Sequence, residues 1–317
     1  MSTNDVPARV PESLEGHRIV PATDFLRVVE QAALASARWV GQGNAHAADG
    51  AAVDAMRKEF SAMPITGTVI IGEGEKDEAP ELYVGEVLGT GRMPGAIAVC
   101  VIGAPGGVMA APDMYMQKLC VGAGAKGRVD IAAPIADTLD VVARCYDRRV
   151  RDLSVIVLDR PRHEELIEEI RGLGARIKLI PDGVITASMS AAVRGTGDHL
   201  YLGIGGSTEG VITAAALECL GGEIQARMWP KDDAQLERLK PFGLEDTSRV
   251  LTARDLAPDP LYVLATGVTD GYLLKGVRYF SDGARTHSIL MDLRERTVRF
   301  VDTVHMFSRT PLREIRL

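Results

Sequence analysis

The chain has 317 residues, 46% of them hydrophobic and 25% charged, with a formal net charge of -7. That length supports one large or two ordinary domains, and the acidic balance speaks against a nucleic-acid partner. No run is long and apolar enough to cross a membrane, and Cys100, Cys120, Cys145 and Cys219 lie too far apart for a zinc cluster or disulfide framework.

Met1 to Pro21 mixes charges with prolines and has no apolar core of a leader peptide, so residues 1–21 read as a flexible extension. Ala22 to Val40 reads as a helix. Thr23 or Asp24 would cap it, and Phe25, Val28, Val29, Ala32, Ala33 and Trp39 form its apolar face. Asp49 stands where it would cap a second helix, Gly50 to Phe60. Next comes a β-branched run, Thr68 to Ile71, expected to be a strand. It breaks into glycines carrying Glu73, Glu75, Asp77 and Glu78. Such a loop is either a cation or phosphate site at a strand end or a solvated acidic turn. Ala96 to Ile102 reads as a strand, Gly107 to Met109 and Leu119 to Val121 as further strand-like runs, and Ala136 to Tyr146 as a helix.

From Asp152 the pattern alternates regularly: strands Leu153 to Leu158, Arg176 to Ile180 and Leu200 to Ile204, and helices Pro161 to Leu173, Ala187 to Val193 and Glu209 to Leu220. Alternation of this kind predicts βαβ units and a mostly parallel sheet with covered faces. The change of texture near Asp147 to Arg151 divides the chain into residues 22–150 and 151–317.

Three further features fall at strand ends or helix starts. Asp159-Arg-Pro-Arg-His163 sets two guanidiniums beside a helix N-terminus, either a phosphate grip or a solvated basic loop. Ile180-Pro-Asp-Gly183 reads as a turn. Gly203-Ile-Gly-Gly-Ser-Thr-Glu-Gly210 permits close backbone approach to a ligand but is not a P-loop, since no Gly-Lys-Ser/Thr follows. No Gly-x-Ser-x-Gly elbow occurs and the six histidines are scattered. Acidic loops with arginines are the composition of divalent-metal phosphoryl chemistry.

In order along the chain stand Ala48-Asp-Gly-Ala-Ala-Val-Asp-Ala-Met56, Ile70-Ile-Gly-Glu-Gly-Glu-Lys-Asp-Glu-Ala-Pro80, Ala111-Pro-Asp-Met-Tyr-Met116 and Arg160-Pro-Arg-His163. Gly203-Ile-Gly-Gly206 with Glu209, Ala265-Thr-Gly-Val-Thr-Asp-Gly271 and Leu274-Lys-Gly276 complete the series. Together they resemble the class II fructose-1,6-bisphosphatases, of the lithium-sensitive, metal-dependent sugar and inositol phosphatase superfamily. The resemblance implies an α/β fold of layered αβαβα type in two subdomains. It also implies Mn2+ or Mg2+ dependence, and hydrolysis of the 1-phosphate of fructose 1,6-bisphosphate in gluconeogenesis and glycerol metabolism, with sedoheptulose 1,7-bisphosphate a second substrate. It implies a cytoplasmic homo-oligomer, dimer or tetramer, without membrane or nucleic-acid partners. Position by position, Asp49, Glu73 and Glu209 match metal ligands, and Tyr115, Arg160, Pro161, Arg162, Asp182, Gly183, Val184 and Gly206 match substrate-contact positions.

The chain departs from the family pattern in one large way. The family's strand ending in Asp-Pro-x-Asp/Glu-Gly-Thr belongs between Gly91 and Ala96, where only Arg92, Met93, Pro94 and Gly95 stand. In the family that signature supplies two metal-binding carboxylates and a threonine that helps activate water, so no catalytic residue is assigned here. Two smaller changes point the same way. Gly41-Gln-Gly-Asn-Ala45 stands where many members read Gly-Arg-Gly-Asp-Lys, and Asp182-Gly-Val184 where the family reads Asp-Gly-Asp. The gap predicts a perturbed first sheet. It also sets beside the enzyme reading a degenerate paralogue that binds sugar phosphate as a regulatory subunit.

Overall fold

The computed structural model describes residues 20–71 and 95–307. The acidic residues Glu73, Glu75, Asp77 and Glu78, and the short run Leu82 to Glu86, lie outside the described residues.

Two sheets build the core. The first joins β1 (Ile97–Gly103), β8 (Pro260–Gly267), β10 (Gly283–Asp292) and β11 (Thr297–Met306) in that order, with β9 (Arg278–Phe280) on β10. Every pairing in it is antiparallel. The second runs β4 (Arg176–Ile180), β3 (Ser154–Leu158), β5 (Leu200–Gly206), β2 (Tyr115–Val121), β6 (Glu223–Met228) and β7 (Leu251–Thr252). The chain passes from the first sheet to the second after β1 and returns only at β8, so residues 147–151 lie within the span of the second sheet.

Period-2 alternation sorts each strand's residues to opposite faces and so stacks the layers. On the first sheet, Ala98, Leu264 and Leu290 face helices α1 (Ala22–Ala37) and α2 (Ala45–Ser61). Ile97, Val99, Val263, Ala265, Ile289 and Met291 face the opposite way, onto α5 (Val184–Ala192) and α6 (Ser207–Leu220). Met116, Cys120, Ile156 and Ile224 of the second sheet close that central layer from the other side. Its outer residues, Leu119, Val155, Val157 and Leu202, pack on α3 (Ile135–Cys145) and α4 (Glu164–Gly172). Helices, sheet, helices, sheet and helices give the αβαβα order.

Several local expectations are corrected. Thr23 and Asp24 lie inside α1, whose N-cap position is Pro21. Helix α2 begins earlier than Asp49 predicts, because Asn44 accepts the Ala47 N–H at 3.0 Å and caps it. Asp49 is therefore a buried residue inside the helix. Gly107 to Met109 is irregular, held to the segment 256–259 by backbone bonds rather than a ladder. The second sheet is mixed: only β4, β3 and β5 run parallel, while β2 and β6 pair antiparallel.

Thr68 to Ile71 is not a strand. Among the described residues it pairs with no strand, and Val69 is 50% and Ile70 49% exposed. A strand needs a neighbour, and β1, the nearest edge, pairs only with β8 among the described residues. A cavity of about 1130 Å³ separates the two, walled by Thr68 to Ile71 on one side and Val99 to Gly103 on the other, with Phe25 and Tyr262 closing it.

Candidate functional site

The ends of β2, β3, β4 and β5 meet at one place. Arg160 follows β3 and donates through Nη2 to Asp182 Oδ2 at 3.2 Å and through Nη1 to Asp159 O at 3.0 Å. Asp182, after β4, also accepts its neighbour Gly183's N–H at 3.1 Å. Arg162 donates from Nε and Nη2 to the carbonyl of Ile204 in β5, at 3.1 and 2.9 Å. Its guanidinium sits over the Tyr115 ring, 4.8 Å from the centroid. Pro161 opens the short 3₁₀ turn between the two arginines.

His163 locks this arrangement. Its Nδ1 donates to Leu158 O at 2.9 Å and its Nε2 accepts the Ile204 N–H at 2.7 Å. Because Nε2 must accept, the ring is neutral with its proton on Nδ1. Burial pushes the imidazole below its ordinary value, the Leu158 hydrogen bond opposes this, and Arg162 and Arg160 reinforce it. Gly203, at φ +151°, lets the strand pass against the ring, where a Cβ would press on Nε2. His163 thus acts as a clasp between β3 and β5, a role its position beside a helix start does not announce.

On the other face of β2 lies Lys118, wholly buried, donating from Nζ to Gly206 O at 2.8 Å. Sequence reasoning passed over it. The usable signal was a lysine between Met116 and Cys120 at an inward position of a strand, since lysine is rarely buried without a polar partner. Gly206 sits at the N-cap of α6, and Glu209 follows in the first turn. A Cβ on Gly206 would land on the Glu209 carboxylate, so only glycine fits while that carboxylate keeps its place. Glu209 Oε2 is buried with no hydrogen-bond partner among the described residues. Val184 begins α5 and is 2% exposed, its side chain packed toward Gly205 beside Lys118. An aliphatic side chain here neither accepts a hydrogen bond nor holds a cation.

The structure therefore brings together Tyr115, Arg160, Pro161, Arg162, Asp182 and Gly183, with Gly206, Glu209 and Val184 adjoining through the end of β5. Asp49 stands on another element. Asp49 is 6% exposed in α2, which packs on α1 across the first sheet from α6. Trp229 and Lys231, which no sequence feature singled out, join the cluster. Trp229 meets the Tyr115 ring edge-on at 6.2 Å, and Lys231 Nζ lies 4.5 Å from the same ring centre. The four thiols are free, and burial pushes Cys100 and Cys120 up to about 12, far from nucleophilic use.

The family described as "Bacterial fructose-1,6-bisphosphatase, glpX-encoded" matches residues 20–94 and 90–305. The chain belongs to this family. A D-fructose 1,6-bisphosphatase class 2/sedoheptulose 1,7-bisphosphatase of Trichodesmium erythraeum is 41% identical, covering 90% of this chain and 96% of the relative. The protein of the same name from Synechococcus elongatus is also 41% identical, over 90% and 95% of the two chains. One numbered 2, from Acaryochloris marina, is 42% identical over 92% and 96%.

The same comparisons locate the gap in this member of the family. The two matched blocks meet at residues 90–94, where Asp-Pro-x-Asp/Glu-Gly-Thr is absent. The Trichodesmium alignment runs over 333 positions yet covers 90% of 317 residues, about 285, so about 48 positions of the relative face nothing here. Among the described residues, neither the outer side of β1 nor Thr68 to Ile71 has a strand partner.

Family membership implies divalent-metal dependence, and the donor set tests it. Among the described residues no three His, Cys, Asp or Glu side chains converge on a cation position. Glu209 presents a buried carboxylate oxygen, but Asp49 lies in another layer, and Glu73 is outside the described residues. The described residues alone do not make a complete cation site.

Proposed function

We propose that this chain is a sugar-bisphosphate phosphatase that releases the 1-phosphate of fructose 1,6-bisphosphate to give fructose 6-phosphate. On this reading it serves gluconeogenesis and glycerol metabolism in the cytoplasm, as a homo-oligomer, with Mn2+ or Mg2+ and with sedoheptulose 1,7-bisphosphate as a further substrate. The observation that carries the reading is the identity with class 2 enzymes over nine-tenths of the chain. The intact Arg160–Asp182 and Arg162–Tyr115 cluster supports it.

In this reading each residue has a physical task. Arg162, with Nε and Nη2 already on Ile204 O, turns its remaining N–H groups toward a phosphate, and Tyr115 fixes the plane of the guanidinium. Arg160 is neutralised by Asp182 and so orients the Asp182–Gly183 turn against the sugar. Gly206 leaves room for the Glu209 carboxylate at the start of α6, which sets that carboxylate beside the end of β5. Asp49, Glu73 and Glu209 are the family's metal-ligand positions, and a bound divalent ion would supply Lewis-acid polarisation of the phosphate.

The deciding experiment measures phosphate release from fructose 1,6-bisphosphate with Mn2+ and Mg2+, beside ligand-induced thermal shift on the same preparation. Metal-dependent turnover abolished by Glu73→Gln supports the enzyme. A thermal shift with fructose 6-phosphate but no turnover overturns it in favour of a sugar-phosphate-binding subunit.

A further inference from the structure

The Tyr115 ring carries two cations. Arg162 Cζ lies 4.8 Å and Lys231 Nζ 4.5 Å from its centroid, so the two charges stand within about 9 Å of each other. Like charges this close repel, and an arrangement that holds them together favours an anion between them. Among the described residues neither meets a carboxylate, whereas Arg160 in the same cluster is paired with Asp182. A third cation reinforces the imbalance: Arg227 stands opposite Gln117 on the Tyr115 face of the sheet, its Nε buried without a hydrogen-bond partner among the described residues.

Lys231 is also held by its backbone. Its N–H donates to Gln235 Oε1 at 2.9 Å, and the next residue, Asp232, caps α7 (Asp233–Leu239) by accepting the Gln235 N–H at 2.8 Å. Two residues earlier, Trp229 N–H donates to Tyr115 O at 3.0 Å, fixing the chain to β2. A surface lysine ordinarily extends its head into water. This one is anchored on both sides and lies on the ring.

We propose that Lys231, seated with Arg162 on Tyr115, is a further specificity-determining residue, a second cation on the phosphate that is not cleaved. The inference rests on the proposed function for the identity of the anion. Arg162 supplies a planar fork and Lys231 a point charge, two complementary donors for a terminal phosphate dianion. A sugar without that phosphate leaves both cations unmatched.

The test titrates the full chain with fructose 6-phosphate and, separately, with inorganic phosphate, following tryptophan emission because Trp229 abuts Tyr115. Lys231→Met should weaken both ligands by roughly tenfold, Lys231→Arg should restore most of the loss, and added salt should matter less in Lys231→Met. Lys240→Met, whose ammonium pairs with Glu237 on α7, should change nothing. Unchanged thermal unfolding of Lys231→Met keeps the result from being one of folding. Equal affinity of Lys231→Met and wild type, or no binding of either anion by the wild type, overturns the role of Lys231. Lys231-dependent binding of phosphate with no gain from the sugar keeps that role and overturns the sugar-phosphate reading.

Discussion

The two sheets end in opposite conditions. At the edge of the second, the ends of β2 to β5 are tied to one another by His163, Arg160 and Arg162, and every tie runs between described residues. At the edge of the first, the outer side of β1 has no neighbouring strand among the described residues, and Thr68, Val69 and Ile70 lie open to solvent while Ile71 is half-buried against the core. The proposed grip on phosphate is thus built wholly from described residues, while the proposed carboxylate half of the site would draw on the family's Asp-Pro-x-Asp/Glu-Gly-Thr, which this chain lacks. The break between the matched blocks at residues 90–94 therefore falls just ahead of β1, in the first sheet, and outside every strand of the second.

The largest effect should come from undoing that difference. Grafting a segment that ends in the family's Asp-Pro-x-Asp/Glu-Gly-Thr between Gly91 and Ala96 should restore the two carboxylates and the threonine. Phosphate release should rise by on the order of 10²–10⁴, the usual contribution of a positioned acid–base group. Binding of fructose 6-phosphate, which uses the second sheet, should stay within a few-fold. A graft that leaves turnover unchanged would show that the two halves are not separable in this way.

Next in size is Arg162→Met. It removes both hydrogen bonds to Ile204 O and the cation over Tyr115, and should weaken fructose 6-phosphate by roughly 10- to 100-fold, as expected for charge-assisted bonds. Isothermal titration reads this directly. A loss no greater than that of an exposed arginine such as Arg27 would break the assignment of the grip to the second sheet.

The pH dependence of stability sharpens the same point. Folding holds His163 neutral and its affinity for protons below the ordinary value of 6.5, through burial first. His199 is lowered too, by burial and then by Arg148 and Arg176. Below pH 6.5 the unfolded chain takes up protons that the folded chain refuses. Stability should thus be complete above 6.5 and fall as pH drops toward the lowered folded values, by at most about 1.4 kcal/mol per pH unit for each imidazole. Urea unfolding between pH 5 and 8 measures the slope, and His163→Gln should flatten it in part.

What the residues disclosed follows from the range of the forces involved. Arg176 to Ile180 and the helix near Glu209 were legible because alternation and glycine punctuation are local. The ordered motif series carried the layers and the cluster at Arg160 and Asp182. Strand direction was not legible: β2 runs against β5 although the surrounding pattern reads as βαβ, and β1 finds β8 across more than half the chain. Thr68 to Ile71 has the composition of a strand, but composition cannot supply a partner. Lys231 looks like any exposed lysine until the fold sets it over Tyr115.

The smallest expected effect tests the first region on its own ground. Asp49 had the position of an N-cap by sequence, yet Asn44 performs that task, accepting the Ala47 N–H in the first turn of α2. Asn44→Ala should cost about 1 kcal/mol, the usual worth of a lost cap. Asp49→Asn keeps nearly the same volume and removes the charge that family resemblance assigns to metal, so it should abolish any gain in stability that Mn2+ gives. Chemical denaturation of the two variants, with and without Mn2+, separates the roles. If Asp49→Asn costs as much as Asn44→Ala without metal, Asp49 belongs to the helix rather than to a site.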